Sequence, residues 1–106
     1  MKTAGMLILA AGLGWSVTSR AQDTAKAEAA LRSSGCPNCH SVSAEKYGPS
    51  YKSLAAKYKG RADAAARIEG ELRSGAMKVD GEAVKHAALK GSDADVKNVV
   101  AYILSR

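Results

Sequence analysis

Apolar residues recur at helical spacing in four separate stretches of this chain. Thr24 to Leu31 is rich in alanine, with Ala27, Ala30 and Leu31 on one face and Asp23 or Thr24 available as a cap. Ser33-Ser34-Gly35 ends that stretch. From Ser41 to Gly48 no period is visible. Pro49 then suits the first turn of a second short helix, in which Tyr51, Leu54, Ala55 and Tyr58 share a face and Gly60 closes the run. A third helix is expected over 62–74, with Ala65, Ile68, Glu69 and Leu72 near one stripe and Gly75 as its stop. Residues 76–91 are polar and irregular and read as a long loop, a feature that in small domains tends to carry function. The best-defined element comes last. Ser92 and Asp95 form the S-x-x-[DE] capping pattern, and Val96, Val99, Val100 and Ile103 make an apolar face. No segment alternates with period two for long enough to be a strand, and internal repeats are absent. The expected fold is all-α, with four short helices and one long loop before the last.

The first residues stand apart from this pattern. Met1 and Lys2 precede an apolar run from Ala4 to Val17, followed by Ser19-Arg20-Ala21, which is the form of a secretory signal peptide cut after Ala21. The run is shorter than the roughly 20 apolar residues of a membrane span and contains several glycines, so no lasting membrane insertion is expected. The chain thus divides into a leader, 1–21, and a domain, 22–106, exported to the periplasm.

Composition makes that domain look short of core. Cleavage leaves 85 of the 106 residues, a size at which domains often depend on disulfides, metals or cofactors. The chain has no Phe, its one tryptophan (Trp15) leaves with the leader, and four tyrosines are then the only aromatic side chains. The thin helical stripes fit packing on a cofactor as well as on one another. Of the sixteen basic groups, fourteen remain without Lys2 and Arg20, against ten acidic ones. That mildly basic surface is much weaker than the concentrated stripe of a nucleic-acid binder. It suits an acidic redox partner, for which charge mainly raises the rate of encounter. Lysines 46, 52, 57, 59, 78, 85 and 90 are enough for such a face, and equally for an ordinary solvated surface.

Cys36-Pro37-Asn38-Cys39-His40 carries the chemistry. Two thiols at i and i+3 in a turn can reach the two vinyl groups of one haem and become thioethers, with the adjacent His40 beneath the iron as its ligand. Three other readings are weaker. A thioredoxin-like C-x-x-C needs a strand before it and a helix opening at it. A zinc site of Cys36, Cys39, His40 and His86 has the ligand count, but adjacent Cys39 and His40 are poorly placed for two tetrahedral corners. A Cys36–Cys39 disulfide would close a tiny loop and stabilise little.

From Ala30 to Arg106 the chain resembles the small bacterial class I cytochromes c. The resemblance is carried by Gly35-Cys36-Pro37-Asn38-Cys39-His40, by Tyr47-Gly48-Pro49-Ser50-Tyr51, by Leu54-Ala55-Ala56-Lys57-Tyr58-Lys59-Gly60, and by the last helix from Ser92-Asp93-Ala94-Asp95 to Ala101-Tyr102-Ile103-Leu104-Ser105. It implies helices wrapped around one covalent haem c with an exposed edge, in a monomeric electron carrier rather than an enzyme. It also implies a Pro49 carbonyl that accepts a hydrogen bond from the His40 ring and so tunes the iron. Tyr51, Tyr58, Arg73 and Lys78 are candidate partners for the haem propionates.

The chain departs from its family at the sixth ligand. There the family places a methionine about six residues before the serine that caps the last helix. Met77 lies in the right loop, but the residue six before Ser92 is His86. Three readings follow: His86 as ligand in a bis-histidine haem, Met77 in an ordinary His/Met haem, or an iron left open to a small diatomic molecule. Thioether sulfur raises the potential and a second imidazole lowers it, so His86 implies a low-potential carrier. The alternative function is a haem-based ligand-binding or sensor protein with a displaceable sixth ligand.

Overall fold

The computed structural model describes residues 23–106, so the leader expected over 1–21 lies outside the described residues. Four helices follow in order: α1 (Thr24–Ser33), α2 (Tyr51–Tyr58), α3 (Ala64–Ser74) and α4 (Asp93–Leu104). A single 3-10 turn, Cys36–Asn38, separates α1 from the loop that leads to α2. The helices lie where the apolar spacing puts them, within a residue or two at their ends.

The ends are set by local chemistry. The Asp23 carboxylate accepts from the Lys26 backbone N–H at 3.0 Å and so opens α1. Helix α2 begins two residues later than Pro49 in its first turn implies. Ser50 is its cap, accepting from the Ser53 N–H at 3.0 Å, and Pro49 stands outside the helix with its carbonyl free for another partner. Gly75 ends α3 at φ +69°, a left-handed conformation that an L side chain adopts only with strain. Helix α4 carries the reciprocal box: the Asp95 N–H donates to Ser92 Oγ, and the Ser92 N–H donates to Asp95 Oδ2 at 2.9 Å.

The stretch expected as an irregular loop contains a hairpin. Strands β1 (Ala76–Val79) and β2 (Glu82–Lys85) pair antiparallel, with Ala76 opposite Lys85 and Met77 opposite Val84. The two turn residues, Asp80 at φ 51° and Gly81 at φ 83°, both have positive φ. Asp-Gly is favoured at such a turn because it tolerates that conformation at both central positions. The strands are four residues each and mostly exposed, which leaves little alternation to read.

Helix α4 is the hub, contacted by α1, α2 and α3. Its Val96, Val99, Val100 and Ile103 are buried against Ala27 and Leu31 of α1, Tyr58 of α2, and Ile68 and Leu72 of α3. Each such aliphatic side chain is worth about 1.5–3 kcal/mol when fully buried. Asn98 of α4 clamps the start of α1, accepting from the Asp23 N–H and donating to the Asp23 carbonyl, both at 2.8 Å. No helix among the described residues is long and apolar enough to cross a membrane.

The capping box gives the fold an acid limit. Hydrogen bonds from Ser92, the backbone N–H foremost, hold the Asp95 carboxyl below its ordinary range. The unfolded chain therefore takes up the Asp95 proton more readily than the folded one. The stabilisation is complete above the unfolded value of about 4 and is lost as pH falls through the lower folded value. Urea titrations of the wild type and Asp95→Asn are expected to differ clearly at pH 7 and to converge progressively as the pH falls below the ordinary carboxylate range.

Candidate functional site

The cysteine turn is built by one carbonyl. Gly35 takes φ +79°, the chain tightens through Cys36–Asn38, and the Cys36 carbonyl accepts from both the Cys39 N–H (3.1 Å) and the His40 N–H (3.0 Å). Cys36 and Cys39 are free thiols on this turn; Cys36 packs partly into the core and Cys39 is exposed. Burial pushes the Cys36 thiol up, with the nearby Cys39 adding to it and a backbone hydrogen bond opposing it. Among the described residues, no three His, Cys, Asp or Glu side chains gather in a way that could hold a metal ion, so the four-residue zinc alternative has no geometric basis.

The loop from Ser41 to Ser50 folds back onto this turn. The Gly48 N–H donates to the Cys39 carbonyl (2.8 Å), the Tyr51 N–H to Ser41 (3.0 Å), the Lys52 N–H to Val42 (3.0 Å), and Lys46 Nζ to the Pro37 carbonyl (3.1 Å). The result is a sleeve around the His40 ring. Gly48 lies beneath it so closely that an added Cβ would sit 2.5 Å from His40 Cε1. Tyr51 stacks on it, with centroids 5.8 Å apart and planes at 24°. His40 Nδ1 is 2.6 Å from the Pro49 carbonyl oxygen. A carbonyl can only accept, so Nδ1 carries the proton and Nε2 is left with its lone pair.

The His86 ring lies close to that of His40. The ring centroids are 5.9 Å apart with planes tilted by 47°. Its Nδ1 donates to the Ala87 carbonyl at 2.8 Å, which again leaves Nε2 as the free nitrogen. The backbone at His86 is held by the end of α3: its N–H donates to the Gly75 carbonyl at 2.7 Å, and a Cβ on Gly75 would collide with the His86 carbonyl oxygen. Met77 sits elsewhere, on β1 opposite Val84 and only partly covered.

Tyr51 links the site to the core. Its ring meets Tyr102 edge-on at 6.0 Å, yet its buried hydroxyl has no hydrogen-bond partner among the described residues. Burial, with the nearby Cys36 and Tyr102 adding to it, pushes this hydroxyl up to about 12, so it stays a proton donor. An open cleft of about 400 Å³ lies beside His40, bounded by Leu31, Val42, Tyr51 and Tyr102 and by the charged Glu28, Arg32 and Lys46. Two cysteines on one turn, two neighbouring imidazoles with Nε2 free and an unmatched buried hydroxyl fit a large, flat, tethered cofactor with polar substituents. Of the other propionate candidates, Tyr58 is buried at the far end of α2 under Lys57 and Arg61. Arg73 is engaged by Glu69 and Asp93, and Lys78 is on the exposed hairpin.

Some residues shape the site in ways their sequence setting does not show. Gly48, part of the Tyr47–Tyr51 motif, and Gly75, the stop of α3, are also required by close approach to the two histidines. The Ala87 carbonyl, like any backbone acceptor, leaves no trace in side-chain pattern.

A family model described as cytochrome c matches residues 24–106. The crystal structure of class 1 cytochrome MtoD from Sideroxydans lithotrophicus ES-1 superposes with a TM-score of 0.71 over 80% of this chain and 97% of that one, at 42% identity. Cytochrome c-552 of Hydrogenobacter thermophilus is 36% identical over 78 residues, which is 74% of this chain and 79% of the relative. Cytochrome c-551 of Allochromatium vinosum is 39% identical over 71 residues, covering 67% and 76% of the two chains.

Two glycines separate close approach from simple backbone freedom. Gly48→Ala must push the His40 ring aside and is expected to lower unfolding free energy by about 1–3 kcal/mol. Gly70, within α3 with open space where its Cβ would be, is expected to gain about 0.5–1 kcal/mol as alanine. Denaturant titration of the two variants beside the wild type checks both signs.

Proposed function

The chain belongs to the cytochrome c family and holds one covalent haem c; from that premise we propose that it is a periplasmic one-electron carrier whose iron lies between His40 and His86. In this reading Cys36 and Cys39 would hold the haem through thioether bonds, and His40 Nε2 and His86 Nε2 would bind its iron. The bound haem supplies a one-electron iron couple. The protein supplies rigidity, since both imidazoles are oriented by backbone carbonyls, Pro49 for His40 and Ala87 for His86.

One observation carries the assignment of His86. Two imidazoles bound through one nitrogen each to a single metal, at about 2 Å per bond, have centroids roughly 6 Å apart. The 5.9 Å between His40 and His86 is of that size, and the free nitrogen of each is Nε2. Met77 has no comparable support, being paired with Val84 on the hairpin. Tyr51, buried and without a partner, donates to the cofactor's polar edge. With a second imidazole in place of a thioether the carrier works at low potential for its family. Removal of the leader after Ala21 delivers it to the periplasm as a monomer. There its excess of basic groups favours redox partners with an acidic docking face.

Absorption spectra and potentiometric titrations of the wild type and His86→Met test this. The ferric wild type is expected to lack the weak long-wavelength sulfur–iron band, and His86→Met to gain it and titrate at a higher potential. A wild type that shows the band, and keeps it in His86→Ala, would refute the ligand assignment.

A further inference from the structure

The His40 sleeve is closed by a contact that no part of the haem-binding motif contains. Glu45, in the middle of the loop, turns its carboxylate back onto the start of α2. It accepts from the Ser50 N–H at 3.2 Å, from Ser50 Oγ at 3.1 Å, and from the Ser53 hydroxyl. Ser50 is the one polar residue buried with the core among the described residues, 1% exposed, and its hydroxyl is shared with Ser53 as well. The residues on either side of Ser50 both touch the His40 ring: Pro49 through its carbonyl and Tyr51 through its ring. Fixing Ser50 therefore fixes both.

We infer that Glu45 is a positioning residue for the His40 ligand, setting the reduction potential through the Glu45–Ser50–Ser53 tie and the Pro49 carbonyl that it holds against His40 Nδ1. The Ser53 hydroxyl foremost, with the Ser50 hydrogen bonds assisting and desolvation opposing, keeps the Glu45 carboxyl below the usual range, so at neutral pH the tie is made by a carboxylate. Hydrogen bonds to an ionised acceptor are shorter and stronger than neutral ones, which suits a tie made on an exposed loop. A firmly held Pro49 carbonyl strengthens the hydrogen bond from Nδ1–H. That makes the imidazole a better donor to the iron and favours the ferric state. Loosening the tie should therefore raise the potential.

The inference rests on His40 as an iron ligand and is indifferent to the ligand opposite. It is tested on purified holoprotein by potentiometric titration at pH 7 and by proton NMR of the His40 ring. Two variants are compared with the wild type, Glu45→Ala and Ser53→Ala. The second keeps the net charge and removes one strand of the tie on the exposed face of α2, so it remains informative if Glu45→Ala fails to fold. Both are expected to titrate at higher potential than the wild type, Ser53→Ala by less, with displaced His40 ring resonances. Wild-type potential and resonances in Ser53→Ala overturn the inference whatever Glu45→Ala does, since a shift in Glu45→Ala alone is the removal of a charge and not of a tie. Lower thermal stability in both variants at unchanged potential likewise reduces Glu45 to a structural role. A wild-type ferric spectrum without imidazole ligation refutes the His40 reading instead, and is distinguishable because it needs no variant.

Discussion

The hydrogen bond between His40 Nδ1 and the Pro49 carbonyl, 2.6 Å long, decides which nitrogen of that ring is free, and much of the chain is arranged to keep it. The Cys36 carbonyl closes the turn that presents the ring. Gly48 has no side chain because the ring occupies that space. Pro49, which the helix does not use, has its carbonyl to spare, and Ser50 takes over as the cap of α2. Tyr51 then opens the helix with its own ring against His40. A stretch of sixteen residues, 36–51, thus acts as one device for holding an imidazole.

The remaining helices hold that device in place. The core has no Phe and no Trp among its buried residues, and it depends on three tyrosines and on the aliphatic face of α4. Helix α4 meets all three other helices, and Asn98 and the Tyr102 hydroxyl tie it to the Asp23 backbone and the Glu28 carboxylate of α1. So small a core leaves little margin, and a covalently attached haem adds apolar contact that the side chains alone do not provide. His86 is reached by a separate route, through the α3 terminus at Gly75, so the two neighbouring imidazoles are anchored to different elements.

The four helices were legible because each has an apolar stripe at 3.6-residue spacing and a cap or stop within a residue or two of its end. The hairpin was missed because strands of four exposed residues show too little alternation. Asp80-Gly81 was nonetheless a local sign of it, since both residues adopt positive φ. The start of α2 falls two residues after the expected one because proline near a helix start satisfies local propensity equally well inside or outside the first turn, and the choice is made by His40, nine residues away. The cysteine pair and His40 stood out as a contiguous motif. The contacts that orient the two imidazoles did not, since they are made by backbone carbonyls, and the Glu45 tie spans a loop with no period.

The proposed departure of this chain from the usual ligand pattern of its family is at His86, and proton NMR of the reduced holoprotein tests it most directly. Met77 is the single methionine after Met6, and a methionine bound to haem iron has its methyl group under the ring current, displaced upfield of every other protein resonance. The account predicts no such methyl signal and two sets of imidazole resonances displaced by the haem. A Met77 methyl signal in that upfield region, with His86 at ordinary positions, would contradict it.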